Sequence, residues 1–160
     1  MLIIWKDDFS IDGGAIDADH RMIIQRINQI IVAIRSEESI YSIAFALKNL
    51  HRVTAAHFSR EEALQNLVSF PDAEQHRQQH QKLLSALHDW VAEVNRIVSY
   101  EDFCTQNETL NQCKTFLYRW ILGHILSHDM EMRGHMDATQ YTSLAPLSID
   151  ELGPHVDFSI

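Results

Sequence analysis

The chain has 160 residues, enough for one ordinary domain with or without a tail, and enough to bury a core without disulfides or a structural metal. Thirteen Lys and Arg against 22 Asp and Glu give a formal charge of −9, which excludes nucleic-acid and anionic-membrane binders, since both need clustered cations. Five Gly and three Pro exclude a turn-rich β protein, and two cysteines, Cys104 and Cys113, form neither a redox pair nor a zinc knuckle and fit a reducing compartment.

Residues 1–17 carry Trp5, Phe9, Gly13 and Gly14 and read as an irregular arm whose aromatics pack on something else. Met1 to Trp5 is too short an apolar stretch for a secretory signal, and no run approaches a membrane span, so a soluble cytoplasmic protein is expected. A helical period follows: His20, Ile23, Ile24, Ile27, Ile30, Ile31 and Ile34 recur at three- and four-residue steps. Ser36–Ser39 interrupts it. The second run spans about 40–68, with Ile43, Leu47, Leu50, Thr54, His57, Glu61, Leu64 and Val68 on one side. Asp72 and Gln75 form a capping-box pattern ahead of the third run, whose face holds His76, His80, Leu83, Leu84, Leu87, Val91 and Val94. Thr105 and Glu108 form another, predicting the start of a fourth run with Leu110, Leu117, Ile121, His124 and His128 on one stripe. It fades near Gly134, and 136–160 shows no sustained period and reads as a tail beyond a domain of residues 1–135. Four amphipathic runs with short connections predict an all-α, up-down-up-down four-helix bundle.

Each run places metal-capable groups in its apolar stripe: His20 on the first, His57 and Glu61 on the second, His76 and His80 on the third, and His124 followed by His128 and Asp129 on the fourth. Residues four apart lie about 40° apart around a helix, so such pairs can aim at one point. A lone buried histidine is ordinarily just hydrogen-bonded in the core, but burying imidazoles and carboxylates on four helices at once calls for a shared partner. His51, His88, His135 and His155 fall on no such stripe with partners, and Glu62 reads as a solvated charge. An imidazole-rich set with carboxylates and no thiolate excludes iron–sulfur, disfavours structural zinc, and is too rich in nitrogen for calcium or magnesium. Iron suits it best, with copper or manganese behind. The donors are too numerous for one reactive ion, so two ions are expected.

His57-Phe58-Ser59-Arg60-Glu61-Glu62 resembles the HFxxEE motif of the hemerythrins, specifically the bacterial hemerythrins. Phe70-Pro71-Asp72 followed by His76 and His80 is similar to that family's aromatic-Pro and HxxxH, and Trp120-Ile121, His124-Ile125 and Asp129 to its W…HIxxxD. Trp5, Phe9, Gly13, Ile16-Asp17 and His20 resemble its N-terminal pattern, so the likeness runs from residue 1 to about 132.

The resemblance implies a non-haem di-iron site with a solvent-derived bridge. His76, His80 and His124 would hold one iron, His20 and His57 the other, and Glu61 and Asp129 would bridge both. Two octahedral ions offer twelve positions, of which these ligands and the solvent bridge fill eleven. The vacancy, on the two-histidine iron, fits dioxygen or nitric oxide, and Ile121 would line an apolar pocket there. Asp129 lies five residues after His124, about 140° around an ideal helix, so spacing alone favours His128. The family pattern selects Asp129, and a local π-type widening would reconcile the two. Gln65 stands where the family often has Met; facing the core it would alter the polarity of the site, facing solvent it would not.

The implied function is reversible dioxygen binding for storage, delivery or sensing, rather than catalysis. A di-iron oxidase or peroxidase is the alternative enzyme reading, but no Glu here is followed three residues later by His, as in the carboxylate-rich di-iron enzymes. A signalling module contacting an unknown partner through its tail is the third.

Overall fold

Asp12 opens the first helix. In a computed structural model describing residues 1–100 and 103–136, its carboxylate accepts from the backbone N–H groups of Gly14 (2.8 Å), Ile16 (3.1 Å) and Asp17 (3.2 Å). These are first-turn donors that a helix cannot satisfy internally. Helix α1 (Ala15–Arg35) therefore starts inside the segment read from sequence as arm. Gly13 precedes it at φ +65°, where a side chain would be strained.

Three more helices follow: α2 (Ile40–Leu67), α3 (Ala73–Tyr100) and α4 (Phe103–Ser127). The Ser39 hydroxyl caps α2 by accepting from Tyr41 N–H. Both α1 and α2 end in a tight turn through a left-handed residue, Glu37 (φ 53°) and Ser69 (φ 54°), with Glu38 N–H donating to Ala33 and Phe70 N–H to Gln65. The expected capping box at Thr105 is not a helix start. Only two residues separate α3 from α4, so α4 begins at Phe103 and Thr105 lies within it.

The helices form a ring of neighbours, α1 on α2, α2 on α3, α3 on α4 and α4 on α1, which is the expected all-α four-helix bundle. The isoleucine face of α1 (Ile23, Ile24, Ile27, Ile30, Ile31, Ile34) meets Leu47, Leu50, Leu87, Val94 and Leu117 in one large apolar cluster. Trp120 ties α4 to α3 by donating its indole N–H to the Leu83 carbonyl (3.1 Å). Among the described residues no helix is long and apolar enough to cross a membrane. The tail read from sequence lies, beyond Met136, outside the described residues.

The arm packs on α1. Ile3 exchanges both backbone hydrogen bonds with the Asn28 side chain (2.8 and 2.7 Å), and Arg21 sits 4.3 Å over the Trp5 ring. Asp17, fully buried, gathers the rest of the arm. Its carboxylate accepts from the Ser10 hydroxyl and from the N–H groups of Ile11 (2.7 Å) and Gly13 (3.1 Å). Arg133 joins this arm to the far end of the described chain by donating to the carbonyls of Ser10 (2.7 Å) and Asp8 (3.0 Å). A second, smaller apolar cluster of Ile11, Ile16, Leu64, Phe70, Met132 and Met136 closes that end of the bundle.

Removing the Asp17 carboxylate leaves two backbone donors without their acceptor. Asp17→Ala is expected to lose about 2–4 kcal/mol, read from the urea unfolding midpoint. A change under about 0.5 kcal/mol would show that the arm does not depend on it.

Candidate metal centre

The antiparallel order of the helices decides where the polar groups meet. His20 lies near the start of α1, His57 and Glu61 near the end of α2, His76 and His80 near the start of α3, and His124 near the end of α4. In an up-down-up-down bundle these four termini fall at the same end. All seven candidates, His20, His57, Glu61, His76, His80, His124 and Asp129, are buried and come together there, between the large apolar cluster and the small one. The centre therefore sits toward one end of the bundle interior.

The groups divide into two sets. Glu61, His76, His80, His124 and Asp129 each offer an atom within 4.8 Å of the others, and so do His20, His57 and Glu61. The two carboxylates join the sets. Glu61 turns Oε1 toward Nε2 of His76 (2.8 Å) and His80 (3.3 Å), and Oε2 toward Nε2 of His57 (3.3 Å). Asp129 turns Oδ1 toward Nε2 of His124 (3.0 Å) and His76 (3.3 Å), and Oδ2 toward Nε2 of His20 (3.2 Å).

These approaches lack hydrogen-bond alignment. All five imidazole Nε2 atoms, Glu61 Oε2 and both Asp129 oxygens are buried without a hydrogen-bond partner among the described residues. So many orphaned lone-pair donors converging in a dry core would be costly if nothing joined them. Imidazole nitrogens and carboxylate oxygens without thiolate are a donor set suited to iron, and the residues fit a pair of such ions.

Asp129 reaches the cluster by a route other than a π-type widening. Helix α4 ends at Ser127, His128 still donates its N–H to the His124 carbonyl (2.9 Å), and Asp129 then opens a tighter 3₁₀ turn, Asp129–Met132. The ideal-helix angle no longer applies, and the carboxylate swings inward. His128 is half-buried and stays outside both sets, its ring 6.0 Å from that of His124 and 6.3 Å from that of His76. His51 pairs with His88 (5.8 Å between rings), and His135 packs on Phe70 (5.2 Å).

Outer partners hold the imidazoles. His57 Nδ1 pairs with the buried Asp19 carboxylate (3.4 Å), which also accepts from Arg60 (3.2 Å). His80 Nδ1 pairs with Glu62 (2.9 Å), so Glu62 is not the solvated charge expected from sequence: α3 lies close enough to take it up. Such contacts orient a ligating ring and raise its basicity. Phe58 stacks flat on His80 (3.7 Å, 6°) and meets His124 edge-on (5.2 Å). Asp19 and Arg60 carried no signal in the sequence, because their pairing joins α1 to α2. Gln65 faces the core, and Thr54, one turn before His57, buries its hydroxyl without a partner among the described residues. Ile121 is buried one turn before His124 in the large apolar cluster.

A family model described as the hemerythrin HHE cation-binding domain matches residues 14–134, three-quarters of the chain. The chain belongs to the hemerythrin family. It is similar to the bacteriohemerythrin of Stenotrophomonas maltophilia (25% identical over 141 residues, 85% of each chain). It is equally similar to that of Pseudomonas aeruginosa (25% over 141 residues, 88% of this chain and 83% of the relative). The bacteriohemerythrin of Clostridium acetobutylicum is 22% identical over 133 residues, 81% of this chain and 98% of the relative. The family and the buried cluster together make this a metal-binding member of an oxygen-binding family.

The electrostatics without a cation are lopsided. Burial alone would lower His57, but the carboxylates of Asp19 and Glu61 push it up to about 9. Burial likewise opposes the rise of His76, which Asp129 and Glu61 push up to about 10. His124 is pushed down to about 3 by burial, against the pull of Asp129 and Glu61. Glu61 and Asp129 are held below the usual carboxylate range, in spite of burial, by the imidazoles beside them. Raised histidines contribute stability that is complete below their unfolded value of about 6.5 and is lost as pH rises through about 9 to 10. His124 contributes in the opposite sense, losing stability as pH falls from about 6.5 toward 3. Chelator-stripped protein should therefore be most stable near pH 6.5, falling on the alkaline side by at most about 1.4 kcal/mol per pH unit for each histidine. Urea midpoints from pH 5 to 10 measure this, and a flat alkaline limb would contradict it.

Proposed function

We propose that the protein binds dioxygen reversibly at a non-haem di-iron centre, for storage, delivery or sensing. In this reading His76, His80 and His124 would hold one iron, His20 and His57 would hold the other, and Glu61 and Asp129 would be shared between them. The observation that carries it is the division of each carboxylate, one oxygen toward each histidine set. The irons would supply two electrons and, on the two-histidine side, one open position for a diatomic ligand, for which nitric oxide would compete.

The protein's own residues do the rest. Asp19, braced by Arg60, orients His57, and Glu62 orients His80. Phe58 wedges between the histidine rings of three helices. Ile121 forms an apolar wall that hinders water, and the small cluster around Phe70 and Met132 seals the end of the bundle. In this reading residues 1–135 form the oxygen-binding domain and 136–160 an appended tail. The acidic surface and the two unpaired cysteines suit a cytoplasmic protein.

Protein loaded with ferrous iron should hold two irons per chain, gain visible absorption in air and lose it when oxygen is removed. Colour that never reverses would exclude a carrier, and steady turnover of peroxide or a reductant would mark an enzyme instead. Metal-free protein should melt well below loaded protein, because binding adds directly to folding; equal melting temperatures would count against a buried site. His76→Ala and His124→Ala should lower iron content. Ile121→Ala should leave iron bound but shorten the life of the ferrous protein in air, and an unchanged lifetime would remove Ile121 from the pocket.

A further inference from the structure

Gln65 lies one turn after Glu61 on α2 and is fully buried. Its side-chain amide Nε2 donates to Glu61 Oε1 (3.2 Å) and to the Met132 thioether. The orientation is dictated by chemistry. The Glu61 carboxylate oxygen and the Met132 thioether both present lone pairs, so the NH₂ end faces them. That choice leaves Gln65 Oε1 buried with no partner among the described residues. The neighbours Leu64 and Met132 belong to the small apolar cluster. On packing grounds an apolar side chain of the same length would serve better, since an unsatisfied buried carbonyl costs folding free energy. What an amide adds is one hydrogen aimed at one oxygen of Glu61.

That oxygen is not equivalent to its twin. Oε1 faces His76 and His80, whereas Oε2 faces His57. A hydrogen bond to a carboxylate oxygen withdraws charge from it and makes it a poorer donor, as it does when it lowers a carboxyl pKa. The more highly charged ferric ion loses more from a weakened donor than the ferrous ion does. Outer-shell hydrogen bonds are a general lever on metal potential.

We propose that Gln65 is a positioning residue that raises the reduction potential of the centre by hydrogen-bonding Glu61 Oε1, thereby holding it in the ferrous state. The inference rests on the di-iron reading above. It assigns to Gln65 an asymmetric effect, felt first on the side of His76, His80 and His124.

The test uses full-length wild type, Gln65→Met and Gln65→Leu, each loaded anaerobically with ferrous iron and analysed for iron per chain. A redox titration with mediator dyes then follows visible absorption. With two irons per chain in all three proteins, both variants should show the ferrous-to-ferric ratio at a fixed potential shifted about two- to tenfold toward ferric, the range set by one hydrogen bond. Metal-free variants should melt at the wild-type temperature or above, because the orphaned carbonyl is gone; a merely structural Gln65 would have the opposite effect. Wild-type ratios in both fully loaded variants would overturn the proposal. So would loss of iron from both, since Gln65 would then hold Glu61 in place rather than tune it. Wild type that fails to take up two irons would instead overturn the di-iron reading.

Discussion

Two buried carboxylates from different parts of the chain face the same group of imidazoles, and the rest of the structure serves that arrangement. Glu61 comes from the middle of a helical turn on α2, and Asp129 from a 3₁₀ turn beyond α4. Each presents one oxygen to either side. Seven polar side chains in a dry interior are tolerable only when their lone pairs share protons or are joined by cations. The large cluster on one side and the small one on the other keep water out, and so make that requirement strict.

Precision at such a site comes from what holds the ligating side chains. Asp129 is the least constrained by helix geometry, and the segment that carries it is tied to the N-terminal arm. Arg133, a few residues on, donates to the carbonyls of the N-terminal arm, and the arm is itself gathered by Asp17. The two ends of the described chain are thereby locked together over the site. The histidines are held unevenly: His57 and His80 have carboxylate partners, whereas Nδ1 of His20 and of His124 has none.

The thiols take no part in this centre. Cys113 is buried in the large cluster, where burial pushes its thiol up to about 12, and Cys104 is exposed. The large apolar cluster is built mainly of isoleucine and leucine, with stiff or well-defined rotamers, and this favours a single packed arrangement over a fluid one.

Much of this was readable from residue order. The three- and four-residue spacing of the isoleucines on α1 and of His57, Glu61 and Leu64 on α2 is imposed by the helix itself, so fold class and the inward face of each helix follow from local periodicity. The same period brings the pairs His57/Glu61 and His76/His80 onto single faces, and family motifs pick out Asp129. Sequence could not supply relations between helices or departures from regular geometry. The start of α4 at Phe103 rather than Thr105 depends on the two-residue junction with α3. The inward swing of Asp129 depends on where α4 stops. The roles of Asp19, Arg60, Glu62 and Gln65 depend on which side chains lie opposite them. Periodicity constrains each helix about its own axis, whereas a contact across the bundle is settled only when all the helices pack at once.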